Sequence, residues 1–314
     1  MRNMTRHATI LGATLTALAI ALALAPQRAA VAQDSYTICS DIPWPPFEMG
    51  SGGQEAFGFD MDVMRAIAAI QGYDVEIQNL AFDSIIPAVR AGKCDIGASG
   101  FTITAKRDEA VDFTDPYYVS NQAVVTRSDG EVNVVTAMAG QGPNGAVGAQ
   151  RGTTGAAWVK ENLVENGVDV TLELYETYPL AIIDLVNGRI DAVIQDAPAS
   201  KSSVAAHPDA LTVAGVVNTY EYFGFVVPAG DPDGVGAKIS AGLGELGLNV
   251  ADTAAGTELS VQPGTPWADL SSAYFGPDSE TITAAWEACK DGILGADSMG
   301  DVKSYAECMA RETK

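Results

Sequence analysis

Basic residues are scarce in this chain: 18 lysines and arginines stand against 40 aspartates and glutamates. A protein that grips phosphate backbones needs a basic footprint, so nucleic acid is excluded as a partner. The excess of acid ordinarily serves solubility, as on an exported protein from a salty habitat. Histidine is scarcer still, with only His7 and His207, and no Cys-x-x-Cys pair occurs among the four cysteines. Such residues give little support to a metal centre and offer no Ser/His/Asp or Cys/His catalytic set, and neither metal nor cofactor is expected. After residue 25 no apolar run is long enough to cross a bilayer as a helix.

What is present begins with the features of a secretory leader. Arg2, Arg6 and His7 precede an uncharged apolar run from Ala8 to Ala25, and Ala30-Val31-Ala32 forms a small-residue cleavage site. Residues 1–32 are therefore read as a cleaved signal peptide. Its removal takes away Arg2, Arg6 and Arg28 and moves the formal charge from −22 to −25. An exported chain can hold disulfides. Cys289 and Cys308 fall in two predicted helices around a Gly-rich turn, which favours a staple across a hairpin. Cys39 and Cys94 sit at apolar strands, where buried free thiols are the favoured reading.

From Tyr36 onward short β-rich runs alternate with helical ones: YTICS, Met61 to Ile70, VEIQNL, Ile85 to Ala91, DIGAS. That alternation predicts parallel strands with crossover helices. After the strand QAVVT and a loop from Ala139 to Gly145, a second such series starts at AVGAQ. It continues through a helix from Thr154 to Asn166, VTLELY, a helix from Leu180 to Asn187, DAVIQD and LTVAG. AGKCDIGASG and NGRIDAVIQD share the same helix, glycine, strand punctuation. Two similar α/β lobes follow, with QAVVT and FGFVVP as the passages between them, and lobes joined in this way can close on something.

The segment Cys94 to Tyr118 places Arg107 in the first turn of a helix capped by Thr104, where a cation opposes the helix dipole. A solvated surface arginine and an anion anchor are both compatible with that position. The loop before it, with Ser99, Gly100 and Thr102, offers N–H groups and hydroxyls that suit a carboxylate.

Several ordered motifs resemble the family 3 extracellular solute-binding proteins, the polar amino-acid receptors of bacterial ABC importers. They are DIPWPPFE (Asp41 to Glu48), GFDMDVMRAIAAI, FDSIIPAVRAGKCDI, SGFTITAKR through FTDPYY, RGTTGAAW and GRIDAVIQD. The resemblance implies a type II periplasmic-binding-protein fold, with each lobe a mostly parallel sheet flanked by helices and two hinge strands between them. Residues 33–124 plus 223–276 would form lobe 1, residues 125–222 lobe 2, and residues 277–314 a helical hairpin outside the family pattern. An inserted Gly/Ala/Thr-rich segment, residues 249–265, is a further departure.

By position, the resemblance assigns Arg107 to a ligand α-carboxylate, with Thr102, Ser99, Gly100 and the Gly152-Thr153-Thr154 loop assisting, and Asp196 to the α-ammonium. Trp44 and Phe82 would sandwich the side chain, and Asp41 would meet its polar end. Gln150 and Gln195 could line the same pocket. The implied partners are an amino-acid ligand and the membrane permease, for a monomeric periplasmic protein. A cyclohexadienyl dehydratase-like enzyme and a sensory binding protein are the alternatives on this scaffold.

Overall fold

The computed structural model describes residues 34–50, 55–254 and 256–314; the predicted leader lies outside the described residues. The first half runs β1 (Ser35–Ser40), α1 (Phe59–Gln71), β2 (Asp74–Asn79), α2 (Phe82–Arg90), β3 (Ile96–Gly97), α3 (Ala105–Asp108) and β4 (Asp112–Phe113). The second comprises β5 (Tyr118–Arg127), α4 (Val134–Met138), β6 (Ala146–Gln150), α5 (Thr154–Val159), β7 (Thr171–Tyr175), α6 (Tyr178–Val186), β8 (Ala192–Asp196), α7 (Ala197–Ala206) and β9 (Leu211–Phe223). The chain then returns to the first sheet as β10 (Val226–Val227) and α8 (Val235–Leu246). It ends in β11 (Leu248–Thr253), β12 (Gly256–Val261), α9 (Pro266–Tyr274), α10 (Ser279–Cys289), α11 (Asp291–Leu294) and α12 (Met299–Glu312).

Two five-stranded sheets result, in the orders β2-β1-β3-β10-β4 and β7-β6-β8-β5-β9. In the first, β1 pairs parallel with β2 and β3; in the second, β6 pairs parallel with β7 and β8. The returning strands are antiparallel: β10 to β3 and β4, and β5 to β8 and β9. In parallel units, strand C-termini share one edge where crossovers leave a crevice. Residues that follow β1, β3, β6 and β8 are therefore the ones presented to a ligand.

Local sequence accounts for the helices that frame this edge. Gly72 takes the left-handed conformation and returns its N–H to Ala68 O, which ends α1. Asn133 caps α4 with a reciprocal bond from Thr136. The helix predicted from Thr154 to Asn166 is instead a six-residue α5 followed by a π-helical turn, Lys160–Val164. The strand predicted as LTVAG runs 13 residues, to Phe223. Its end, Glu221 to Phe223, pairs with Tyr118 to Ser120 beyond a register shift, an irregularity that obscures period-two alternation.

Cys289 and Cys308 are bonded, as the hairpin reading predicted. Cys39 and Cys94 are bonded too, which overturns the reading of free thiols. Topology is the reason: Cys39 lies opposite Gly97 in the β1/β3 pair, and the turn into β3 brings Cys94 to a Cα separation of 5.8 Å. The segment 249–265 is mostly a two-stranded hairpin, β11 with β12.

The C-terminal helices pack on α1. Tyr274 of α9 and Tyr305 of α12 donate hydroxyls to the buried Asp62 carboxylate, which also faces Arg65 at 3.3 Å. Trp286 of α10 stacks on Phe57 with ring centroids 4.5 Å apart.

Candidate functional site

Four strand ends build the site. Asp41 follows β1, and Trp44 comes next on a proline-rich turn whose backbone is closed by Trp44 N donating to Glu48 O at 2.7 Å. The Ser99-Gly100 loop follows β3. Gly100 has φ +54°, and a Cβ there would lie 2.4 Å from the Trp44 ring, so loop and ring fit only with glycine. Gln150 ends β6, Thr153 caps α5 by accepting from Ala156 N, and Asp196 ends β8.

Arg107 is held in α3 by the Thr104 cap, whose hydroxyl accepts from Arg107 N at 3.2 Å. Its guanidinium donates to Thr102 O at 2.8 Å and to Gly152 O at 3.1 Å, spanning the two halves. The guanidinium carbon lies 5.4 Å from the Phe82 ring centroid and 5.5 Å from that of Phe101. These two rings stack at 4.7 Å. Burial lowers the Arg107 pKa to about 10, against the favourable charges of Glu221 and Asp196, so the group stays cationic at neutral pH. None of the ion pairs among the described residues engages it.

A small cavity is lined by Asp41, Trp44, Phe82, Ser99, Gly100, Thr102, Arg107, Gln150, Thr153, Thr154, Tyr178 and Asp196. Eleven of the thirteen residues placed at the ligand from the sequence line this cavity; Gly152, in the loop with Thr153 and Thr154, does not. Nor does Gln195; it turns to Ser203 Oγ at 2.9 Å. Phe82 reaches the cavity but gives its face to Phe101 and Arg107. The ring opposite Trp44 is Tyr178, with centroids 6.4 Å apart and planes 22° from parallel.

Two carboxylates in this cavity are held in unfavourable surroundings. Asp196 is buried, and its Oδ1 has no hydrogen-bond partner among the described residues. Burial, then the charge of Glu221, raise its pKa to about 7. Asp41 is raised to about 6 by burial, opposed by the bond from Gln150 Nε2, while Asp83 and Glu176 add to the rise. A cation entering the cavity would relieve both.

Two residues here had no signal in the sequence reading. Tyr178 follows β7 at the start of α6, where a local view gives only a helix start. Glu221 lies in the half of β9 that alternation did not reveal. Its carboxylate accepts from Thr102 Oγ1 at 2.7 Å, from Gln122 Nε2 at 3.1 Å and from Thr154 Oγ1, so it ties first-half and second-half hydroxyls beside Arg107.

Two α/β sheets, joined by strand crossings and facing each other across a charged cavity at their strand ends, define a hinged solute-binding protein. The signature of the bacterial extracellular solute-binding proteins, family 3, matches residues 36–247, and the chain belongs to that family. It is 31% identical over 193 residues to the arginine-binding periplasmic protein of Mannheimia haemolytica, covering 62% of this chain and 76% of that one. It is 32% identical over 181 residues to the ABC transporter arginine-binding protein 1 of Escherichia coli (strain K12), covering 58% and 71%. Among solved structures it resembles an ancestral arginine-binding protein bound to arginine, with a TM-score of 0.61 and 30% identity over 68% of this chain and 92% of that one. An ancestral amino acid-binding protein described as a precursor of cyclohexadienyl dehydratase also matches, with a TM-score of 0.61, 27% identity and coverage of 77% and 95%.

Proposed function

We propose that this solute-binding protein captures an α-amino acid with a cationic side chain, of the arginine type, and delivers it in the periplasm to the permease of an ABC importer. The observation that carries this reading is the charge of the cavity: one cation, Arg107, against two carboxylates, Asp41 and Asp196. Burying unbalanced charge is costly. A ligand with one carboxylate and two cationic groups supplies the complement.

In this reading Arg107 grips the α-carboxylate, joined by N–H groups of the Ser99-Gly100 loop and of the α5 start, and Asp196 takes the α-ammonium. Asp41, beside which Asp83 and Glu176 add further negative charge, takes the side-chain cation. Trp44 and Tyr178, from opposite halves, part to admit the side chain, and cation–π attraction holds it. Lobe 1 is residues 33–124 with 223–276, lobe 2 residues 125–222, and the extension 277–314; closure of the two lobes completes the contacts. The protein acts as a monomer. The arginine-binding names of its relatives support the ligand class.

Thermal shift and calorimetry with a panel of amino acids test this. Arginine, lysine or histidine should bind most tightly, and a ligand at about 100 times its Kd should add roughly 2.7 kcal/mol of stability. Tightest binding of a neutral or acidic amino acid would overturn the charge argument. The likeness to a dehydratase precursor, together with an Asp196 that titrates near neutrality, favours a second reading as an enzyme. Incubation with prephenate or arogenate separates the two, and we expect no turnover.

A further inference from the structure

Behind the ligand cavity, on its first-sheet side, Glu48 and Asp60 are both fully buried. Three of their four carboxyl oxygens, Glu48 Oε1, Glu48 Oε2 and Asp60 Oδ1, have no hydrogen-bond partner among the described residues. The fourth, Asp60 Oδ2, accepts from Gly100 N at 3.0 Å and from the Tyr117 hydroxyl at 2.7 Å. Neither residue lines the cavity, yet each holds one of its walls. Glu48 closes the Trp44 turn through paired backbone bonds of 2.7 and 3.1 Å, and Asp60 anchors the Gly100 loop.

Adjacent carboxylates in a dry site cannot both be ionised without donors. One shared proton removes the conflict, with Glu48 as the acid donating to Asp60 Oδ1. The remaining Glu48 oxygen then faces Ser99. The Ser99 hydroxyl already accepts from Asp41 N at 3.2 Å, which leaves its O–H free to donate.

We propose that a proton shared between Glu48 and Asp60 is a working part of the ligand site. It joins the Trp44 turn to the Ser99-Gly100 loop, and its loss on raising the pH loosens both walls and weakens ligand binding, though neither carboxyl touches the ligand. Glu48 and Asp60 are thus positioning residues, and the inference rests on the amino-acid-binding reading above. The groups that face the pair are Asp41, Ser99, Tyr117 and the Gly100 N–H. Burial, then Asp60 and Asp41, push Glu48 well above the usual carboxylate range, and Asp60 already accepts from the Gly100 N–H and the Tyr117 hydroxyl, donors that favour its ionised form; the proton therefore resides on Glu48. Burial and Asp60 also push the Tyr117 hydroxyl up, so it remains a donor throughout. The sign follows: the intact network is present while Glu48 is protonated and is lost as pH rises through its value.

The test compares calorimetric Kd values for arginine, or whichever panel amino acid binds, from neutral pH to roughly pH 9.5 in the wild type and in Glu48→Gln. The amide donates to Asp60 as the acid does but cannot ionise. Once Glu48 deprotonates, the wild type should weaken by up to tenfold per pH unit, beyond the loss caused by the ligand's own ammonium, which both proteins share. In Glu48→Gln only the shared loss should remain. Carboxyl 13C titration by NMR on the unmodified protein is the companion measurement and should find Glu48 protonated at neutral pH. Identical pH profiles in the two proteins, or an ionised Glu48 at neutral pH, overturn the proposal. Failure of every amino acid to bind at any pH overturns the ligand reading itself and this proposal with it.

Discussion

Asp196 shows what a single residue contributes to this site. Burial, then the charge of Glu221, push its carboxyl up to about 7. For the empty protein the folded value exceeds the unfolded one, so stability is highest below about pH 4 for this group and is lost as pH rises toward 7. Asp41 acts in the same direction up to about 6. A bound cation favours the ionised forms, so ligand affinity should rise between pH 5 and 8, with release of protons near pH 6.5 measurable by calorimetry in two buffers of different ionisation enthalpy. Asp196→Asn should flatten the upper part of that profile. Arg107→Ala should weaken binding by about 2–5 kcal/mol with the fold intact, checked by titration alongside circular dichroism. Gly100→Ala strains a left-handed backbone and places a methyl group against the Trp44 ring, and should lower both ligand affinity and the melting temperature.

At the scale of elements, the C-terminal helices are part of the first-sheet core and not a loose appendage. Tyr305, outside the family signature, bonds Asp62 of α1, inside it. Tyr305→Phe leaves that buried carboxylate short of one donor and should cost about 1–3 kcal/mol. A denaturant melt should register the loss while arginine affinity changes little. The disulfide Cys289–Cys308 closes a separation of 19 residues between α10 and α12. Replacing both cysteines by alanine should cost about 3 kcal/mol by the loop-entropy argument. Phe275, at the end of α9, lies 4.7 Å from Tyr118 and 5.3 Å from Phe47 by ring centroids, and Phe47 stacks on Trp44 at 4.9 Å. The extension's root therefore packs against the same aromatic group that supports the ligand cavity and the start of β5.

At the scale of the whole molecule, the cleft is closed. Gln150 Nε2 donates to Asp41, Arg107 bonds Gly152 O, and Arg151 lies 3.7 Å from Asp83, each contact joining one half to the other. Glu221 adds a bridge between Thr102 and Thr154. Ligand should shift the balance from an open form to this closed one. Small-angle scattering should give a smaller radius of gyration with saturating ligand. Gln150→Ala, which removes one contact made by the closed form, should widen that difference. An unchanged radius of gyration would count against hinge closure.

Much of this was legible in the chain alone, because it is local. Alternation, glycine punctuation and caps specify α/β units, and the resemblance to the family assigns Asp41, Ser99, Thr154 and Asp196 to a ligand, in agreement with the expectation that ligands meet α/β sheets at strand ends. What they could not specify were contacts between segments far apart. The Cys39–Cys94 bond depends on β1 and β3 lying side by side, Tyr178 meets Trp44 across the cleft, and Glu221 emerges from a strand whose register shift hides its alternation. Most of all, the sequence determined that Asp41, Arg107 and Asp196 exist at plausible positions, while the tertiary structure decided their burial. Burial is what converts three ordinary surface-type charges into an unbalanced set that a cationic amino acid would complete, because removing water makes each unpaired charge costly.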